Sequence, residues 1–183
     1  MNYTNEDPKT ATSETAKYRA LTAPYCVGCG IDIGSGGNPV VPHAMSMDLP
    51  PKEFAHYRSN LPPEHAVHLP GDATNLHWFK DGVLDFVYSS HLLEDFLEWT
   101  PILWEWARVL KRGGHMIILV PDKKLWNEAI AKGQPPNCAH RHESRLGELT
   151  EHFNVMGGFT ILTERLTNLY PGDYTIMFVA KKV

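Results

Sequence analysis

The sequence predicts a doubly wound α/β fold: a mostly parallel sheet closed by an antiparallel pair. Three observations carry that expectation. Short apolar runs bounded by turn residues recur along the chain, with helical periodicity between several of them. A glycine-rich turn, Gly34-Ser35-Gly36-Gly37, follows the first run. The last two runs flank Tyr170-Pro171-Gly172-Asp173, a turn sequence that makes them a hairpin.

Taken in order, residues 1–12 are polar and aperiodic and are expected to form a flexible tail. Ser13 can cap a short helix that turns Tyr18, Leu21 and Tyr25 inward and ends at Pro24. Strands are expected at 29–33, 44–48, 66–69 and 83–89, the last reading VLDFVYS. A helix is expected over 91–99. A second starts from Thr100-Pro101 and buries Ile102, Leu103, Trp106, Val109 and Leu110; Trp99 and Trp104 fall at helical spacing too. Lys111 and Arg112 suit that helix's negative C-terminal end, and Gly113-Gly114 stops it. HMIILV, 115–120, is the most apolar strand. An amphipathic helix follows over 143–153 and ends near Gly157-Gly158. Strands over 159–166 and 175–181 close the chain.

Composition narrows the class. At roughly 150 residues per domain, 183 residues make one domain, here 13–183. Apolar residues at 43% and charged residues at 21% argue against disorder, and a net charge of −4 argues against a nucleic-acid partner. No apolar run approaches the roughly 18 residues that would span a bilayer, and the polar start lacks an apolar leader. Three cysteines are too few for a disulfide framework, so a cytoplasmic setting is expected.

In doubly wound sheets, ligands bind beyond the carboxyl ends of the strands. The glycines after the first strand let the backbone approach a ligand, and Asp48, ending the second, can accept two hydrogen bonds from a ribose diol. A dinucleotide also needs a helix N-terminus for its pyrophosphate. Pro39 and Pro42 leave too little chain for that helix before the next strand. The pattern therefore favours an adenosine-type ligand without phosphates and opposes a nicotinamide-linked oxidoreductase. Asp72, in GDATNL, can accept a hydrogen bond from an adenine amine; such residues also cap turns.

Five segments then run in one family's order: GIDIGSGG, MSMDL, GDATNL, LDFVYSSHLLEDF and WARVLKRGGHMIILVPD. Together they cover most of residues 27–122, and the chain resembles the class I S-adenosylmethionine (SAM)-dependent methyltransferases, in particular their small type-11-like group. The resemblance implies a Rossmann-like, seven-stranded sheet with an antiparallel last strand. It implies that SAM is the cofactor and S-adenosylhomocysteine the product. Cofactor contacts would come from Gly34, Ser35 and Gly36 under the methionine part and Asp48 and Leu49 at the ribose. Asp72 and Ala73 would flank the adenine, and Ser89, Ser90 and His91 would floor the site near the sulfonium. Asp32 would orient the glycine turn, and Tyr18 and Arg19 could close over the cofactor. Two departures stand out: the helix after the first turn is missing or very short, and Asp95 stands where relatives often carry histidine.

Methyl transfer to a hydroxyl is helped by a base. His140 and His142, in the loop after the fifth strand, are placed to overhang the methyl group, and His91 competes for the role. Cys26, Cys29, Cys138, His140 and His142 invite a zinc reading. The strand order sends the first pair and the rest to opposite sheet edges, so no metal site is expected. The expected function is methyl transfer to a small molecule, with a hydroxyl as the expected acceptor group and acceptor recognition left to the tail and the 50–65 and 122–142 loops. The alternative is a SAM-binding module of the same fold without catalysis.

Overall fold

The structure is a computed structural model that describes residues 3–49 and 67–183. The 50–65 loop expected to help choose the acceptor lies outside the described residues, as does Ala66. Helix α1, Glu14–Thr22, is capped by Ser13, whose side chain accepts from Ala16 N, and Pro24 follows in a 3-10 turn. The polar residues before it lie along the helix: Asn5 Oδ1 accepts from Ala20 N at 2.7 Å, and Glu6 N donates to Ala16 O at 2.9 Å.

The remaining elements are β1 Gly30–Ile33, β2 Met45–Asp48, β3 Leu69–Pro70, β4 Leu84–Ser90, α2 Trp99–Val109, β5 Leu110–Pro121, α3 Lys123–Ala131, α4 Glu148–Met156, β6 Phe159–Leu166 and β7 Thr175–Lys182. Seven strands form one sheet in the order β3-β2-β1-β4-β5-β7-β6. The first five pair in parallel, whereas β7 runs antiparallel between β5 and β6. The fold expectation, including the hairpin, holds.

Period-two alternation builds two cores. Ile31, Ile33, Val87, Ile118 and Phe178 face α2 and α4 with Trp106 and Phe153. Phe86, Tyr88, Ile117, Leu119 and Val179 face the α1 side with Tyr18. Gly30 has no side chain because the Phe86 ring occupies the space: a Cβ there would come within 2.4 Å of it.

Several local expectations are corrected. Residues 91–99 are not one helix. His91 has φ 52 and Phe96 is extended, so a 3-10 turn over Leu93–Asp95 is all that forms before Trp99. Helix α2 starts at Trp99 behind Glu98, which makes no capping bond; Pro101 sits inside its first turn, where no intrahelical N–H is needed. Gly113-Gly114 do not stop a helix. Leu110 already pairs with Leu84, and the next matched pair is His115 with Phe86, so 111–114 are a bulge within β5. Lys111 pairs with Asp85 at 2.8 Å, and the carbonyls ending α2 are met by Lys182, which donates to Ala107 O and Leu110 O at 2.6 and 2.7 Å. Helix α3 was not foreseen, although Asp122 caps it by accepting from Leu125 N at 3.1 Å. Helix α4 begins at Glu148 rather than Glu143, behind Gly147 at φ 93.

Candidate functional site

A cavity of about 690 Å³ opens at the carboxyl ends of β1, β2, β3 and β4, a volume within the range typical of small-molecule sites. One end is built from the first three strands. Gly34 N and Ser35 N donate to Met47 O at 2.9 and 3.2 Å, pinning the glycine turn to β2. Gly34 and Gly36 take φ 78 and 59, the left-handed region that glycine adopts freely. Nothing lies within 4 Å of a Cβ built on Gly36, so the backbone there is an open floor. Asp48 Oδ2 accepts from Gly36 N at 2.7 Å and Oδ1 from Leu49 N at 3.0 Å. Asp72 Oδ1 accepts from the backbone N and Oγ1 of Thr74, both at 2.8 Å, so Asp72 shapes its own turn while lining the cavity with Ala73.

The other end is built from β4, α3, β7 and the loop before α4. It brings together Glu14, His91, Asp95, Phe96, Trp126, His140 and Tyr174. Behind them Glu94 is fully buried, and its Oε1 lies 3.6 Å from both His91 Nδ1 and His140 Nε2. The Glu94 carbonyl accepts from Arg141 N and His142 N, both at 2.9 Å, which ties the loop to the end of β4.

The two histidines titrate in opposite directions. Burial disfavours the His91 imidazolium, but the Glu94 and Glu14 carboxylates outweigh it and raise the pKa above the ordinary value. Burial lowers that of His140, and Glu94 only partly offsets it. Asp95 is pushed up to about 7 by burial and then by the Glu94 charge. The His91 tautomer follows from its neighbours. Asp173 can only accept, so Tyr18 OH donates to it at 2.9 Å. Thr175 Oγ1 donates to Tyr18 OH at 2.7 Å, so Thr175 accepts from His91 Nε2–H at 3.1 Å.

Of the sequence candidates, Gly34, Gly36, Asp48, Leu49, Asp72, Ala73, His91 and His140 line this one cavity. Asp32, Ser35, Ser89, Ser90 and His142 do not. Asp32 is buried beneath the turn, where Oδ2 accepts from Val40 N at 2.6 Å. Ser35 Oγ meets Ser46 Oγ at 2.5 Å, and Ser89 Oγ donates to Ile33 O at 3.0 Å, so both serve the sheet. Ser90 is buried in the β4–β5 pairing opposite Leu119. His142 stacks on Trp99 at 4.1 Å and bonds Glu148 at 2.7 Å, away from the cavity. Cys26 is buried before β1, with its thiol donating to Thr22 O at 3.5 Å; Cys29 and Cys138 are exposed. Among the described residues no group of three or more His, Cys, Asp or Glu could hold a metal ion, and no helix is long and apolar enough to cross a membrane.

Sequence reasoning missed Glu14, Glu94, Trp126 and Tyr174. Trp126 had a signal in Asp122 as the cap of an amphipathic KKLWNEAIA. Glu94 lies within LDFVYSSHLLEDF, but nothing in that segment marked it as the carboxylate behind the histidines, and for Glu14 and Tyr174 no periodicity or motif separated a lining residue from an ordinary one.

The profile of the methyltransferase-domain family matches residues 26–118. The chain belongs to this family. Its fold resembles SAM-dependent methyltransferases of known structure. One from Archaeoglobus fulgidus has TM-score 0.65 at 18% identity, covering 92% of each chain. One from Mesorhizobium loti has TM-score 0.65 at 15% identity, covering 93% of this chain and 99% of its own. One from Thermotoga maritima, described as a possible histamine N-methyltransferase, has TM-score 0.65 at 18% identity, covering 90% and 87%. No curated protein matches the sequence significantly. The residues present suit the family's cofactor. The open Gly36 floor and the carboxylates closing β2 and following β3 form an elongated cradle with apolar walls at Ile33, Met47 and Ala73. Residues 34–44 contain turns and no helix, so a pyrophosphate would find no helix dipole there.

Proposed function

We propose that this methyltransferase-family protein transfers a methyl group from SAM to a small molecule. The observation that carries the reading is one continuous cavity, with the glycine turn and two carboxylates at one end and paired histidines at the other. Asp48 and Leu49 would hold the ribose, Asp72 and Ala73 the adenine, and Gly34 and Gly36 would let the methionine part pass over the backbone. Asp32 and Ser35 act from behind, fixing the turn that those contacts need. Bound SAM supplies an activated methyl: the acceptor's lone pair forms a bond to carbon as the carbon–sulfur bond breaks, and that electron pair stays on sulfur.

The acceptor atom must also shed a proton, as a hydroxyl or an ammonium does. His140 suits that task better than His91. His91 donates from Nε2 and turns Nδ1 toward Glu94, so neither nitrogen has a lone pair to offer while the ring is charged. His140, held neutral by burial, directs Nε2 toward Glu94 and keeps a lone pair on Nδ1. The cavity walls supply alignment and exclude water.

Calorimetry with SAM and S-adenosylhomocysteine tests the cofactor assignment, and turnover with an acceptor library tests catalysis. Asp48→Ala should weaken binding by about 1–3 kcal/mol, since charge-assisted hydrogen bonds are lost and the glycine turn loosens. No binding at millimolar SAM would overturn the reading. Binding without turnover across the library would favour the non-catalytic module.

A further inference from the structure

We propose that the methyl acceptor is a small amine, bound as its ammonium between Asp95 and the rings of Trp126 and Tyr174. The inference rests on the methyltransferase reading of the same cavity and names its substrate class.

The first support is unmet hydrogen bonding. Glu94 is fully buried, yet neither of its carboxylate oxygens has a hydrogen-bond partner, and its Oε1 is aimed between the cavity-lining His91 and His140. Asp95 Oδ1 and Glu14 Oε2 are also buried without a hydrogen bond, and both residues line the cavity. Four acceptor oxygens without a hydrogen bond therefore gather at one end, two of them, on Asp95 and Glu14, belonging to residues that line the cavity. Buried acceptors left unpaired are costly, and a ligand rich in donors relieves that cost. An ammonium brings up to three N–H donors and no acceptor, whereas an alcohol brings one donor and a lone-pair oxygen that the carboxylates repel.

The second support is aromatic. Trp126 and Tyr174 meet edge to face at 4.8 Å, and both line the same end as Asp95. Ring faces attract cations, most strongly where water is excluded.

The cations already present leave a place for one more. Lys17 binds Glu14 Oε1 at 2.6 Å, and His91 stands 3.6 and 3.8 Å from Glu94 and Glu14. Those contacts set a cation beside Glu14 and, when His91 is protonated, beside Glu94. Asp95 has no ion pair among the described residues. Burial and Glu94 push its carboxyl up to about 7, with His91 and Arg141 opposing from farther away. That is the state of a carboxyl short of positive charge.

The chemistry balances. The ammonium gives one N–H proton to the His140 imidazole. The freed lone pair forms the nitrogen–carbon bond as the methyl's bond to sulfur breaks, and the electron pair leaves on the thioether. The product is a methylated ammonium.

The test is calorimetric, on protein saturated with S-adenosylhomocysteine at pH 7.5. The probes are ethylamine, benzylamine and tryptamine, each against its alcohol: ethanol, benzyl alcohol and tryptophol. At least one amine should bind about tenfold or more tighter than its alcohol, with tetramethylammonium competing. Asp95→Asn should remove the preference and leave S-adenosylhomocysteine affinity intact. Alcohols binding as well as amines, or no amine binding at all, would overturn the proposal, and these wild-type comparisons decide it even if the variant does not fold. If Asp95→Asn weakens S-adenosylhomocysteine but not 5′-methylthioadenosine, Asp95 serves the cofactor's own ammonium and the proposal falls. Failure of S-adenosylhomocysteine to bind at all defeats the underlying methyltransferase reading instead.

Discussion

His91 and His140 face the same oxygen of Glu94 and differ in what else they touch. Thr175 and Tyr18 fix His91 as a donor, while His140 packs 5.1 Å from the Trp126 ring with no cation-stabilising partner beyond Glu94. If His140 is the base, His140→Ala should lower kcat about 10²–10⁴-fold while S-adenosylhomocysteine affinity stays nearly unchanged. The acid limb of the pH–rate profile should fall below the ordinary histidine value of about 6.5, because burial lowers the His140 pKa. Steady-state kinetics and calorimetry on the two variants check this. His142→Ala should keep kcat and lower stability by about 1 kcal/mol, since it loses the Trp99 stack and the Glu148 bond. Full activity in both variants would leave catalysis to alignment alone. The sequence could not separate His140 from His142, which stand two apart in one loop; the Glu94 carbonyl pins the chain between them, and one faces the cavity while the other faces α4. The cofactor end was more legible. Gly34, Gly36 and Asp72 stand just after strands and Asp48 ends one, and strand ends are readable from apolar runs.

At the scale of elements, long-range partners decided what local signals could not. Gly113-Gly114 resembles a helix stop, but a Cβ on Gly114 would lie 2.8 Å from Asp85 O, so the glycine lets β5 press against the start of β4. Lys111-Arg112 resembles a helix C-terminus, but the cation at the α2 carbonyls is Lys182, 72 residues beyond Leu110. No local pattern encodes such a contact. By contrast, α1 and the β6–β7 hairpin were legible because Ser13 and Tyr170-Pro171-Gly172-Asp173 act on their own neighbours. Lys182 closes the sheet against α2 by charge and hydrogen bonds, so Lys182→Met should lower unfolding free energy by about 1–3 kcal/mol. The loss should leave S-adenosylhomocysteine affinity unchanged, because α2 ends at the opposite edge from the cavity. Denaturant unfolding checks the first outcome; a stability equal to wild type would mean that water replaces the ammonium without cost.

Across the whole molecule, the sheet buries carboxyl groups at its ligand edge, and this sets the response to pH. Burial pushes Asp32 up to about 8, against the lowering effect of the Val40 N–H, and Asp48 adds to the rise. Asp95 reaches about 7. In the unfolded chain both titrate near pH 3.9. Between those values the folded chain holds protons that the unfolded chain has released, so raising the pH favours unfolding. His91 adds the same sign: its folded pKa lies above the unfolded value, so its contribution is full below about pH 6.5 and fades as pH rises through the folded value. His115 and His140, both lowered, act the other way, but only as pH falls below the unfolded histidine range. The surface acids Asp85 and Glu105, both half-buried, and the exposed Glu151 are lowered by Lys111, Arg108 and Arg145, and their contributions vanish only near the ordinary carboxylate range. On the alkaline side the raised groups meet one opposing group, Lys182, whose pKa burial lowers and which acts only as pH nears the lysine range. Thermal unfolding of the free protein should give a Tm that falls steadily from pH 6 to pH 8.5. Asp32→Asn keeps an oxygen for Val40 N–H and removes the titration, so its Tm should change much less over the same range. A Tm that stays flat or rises in the wild type would show that Asp32 is ionised in the fold, its charge met by Arg19 and the turn amides instead of by a proton.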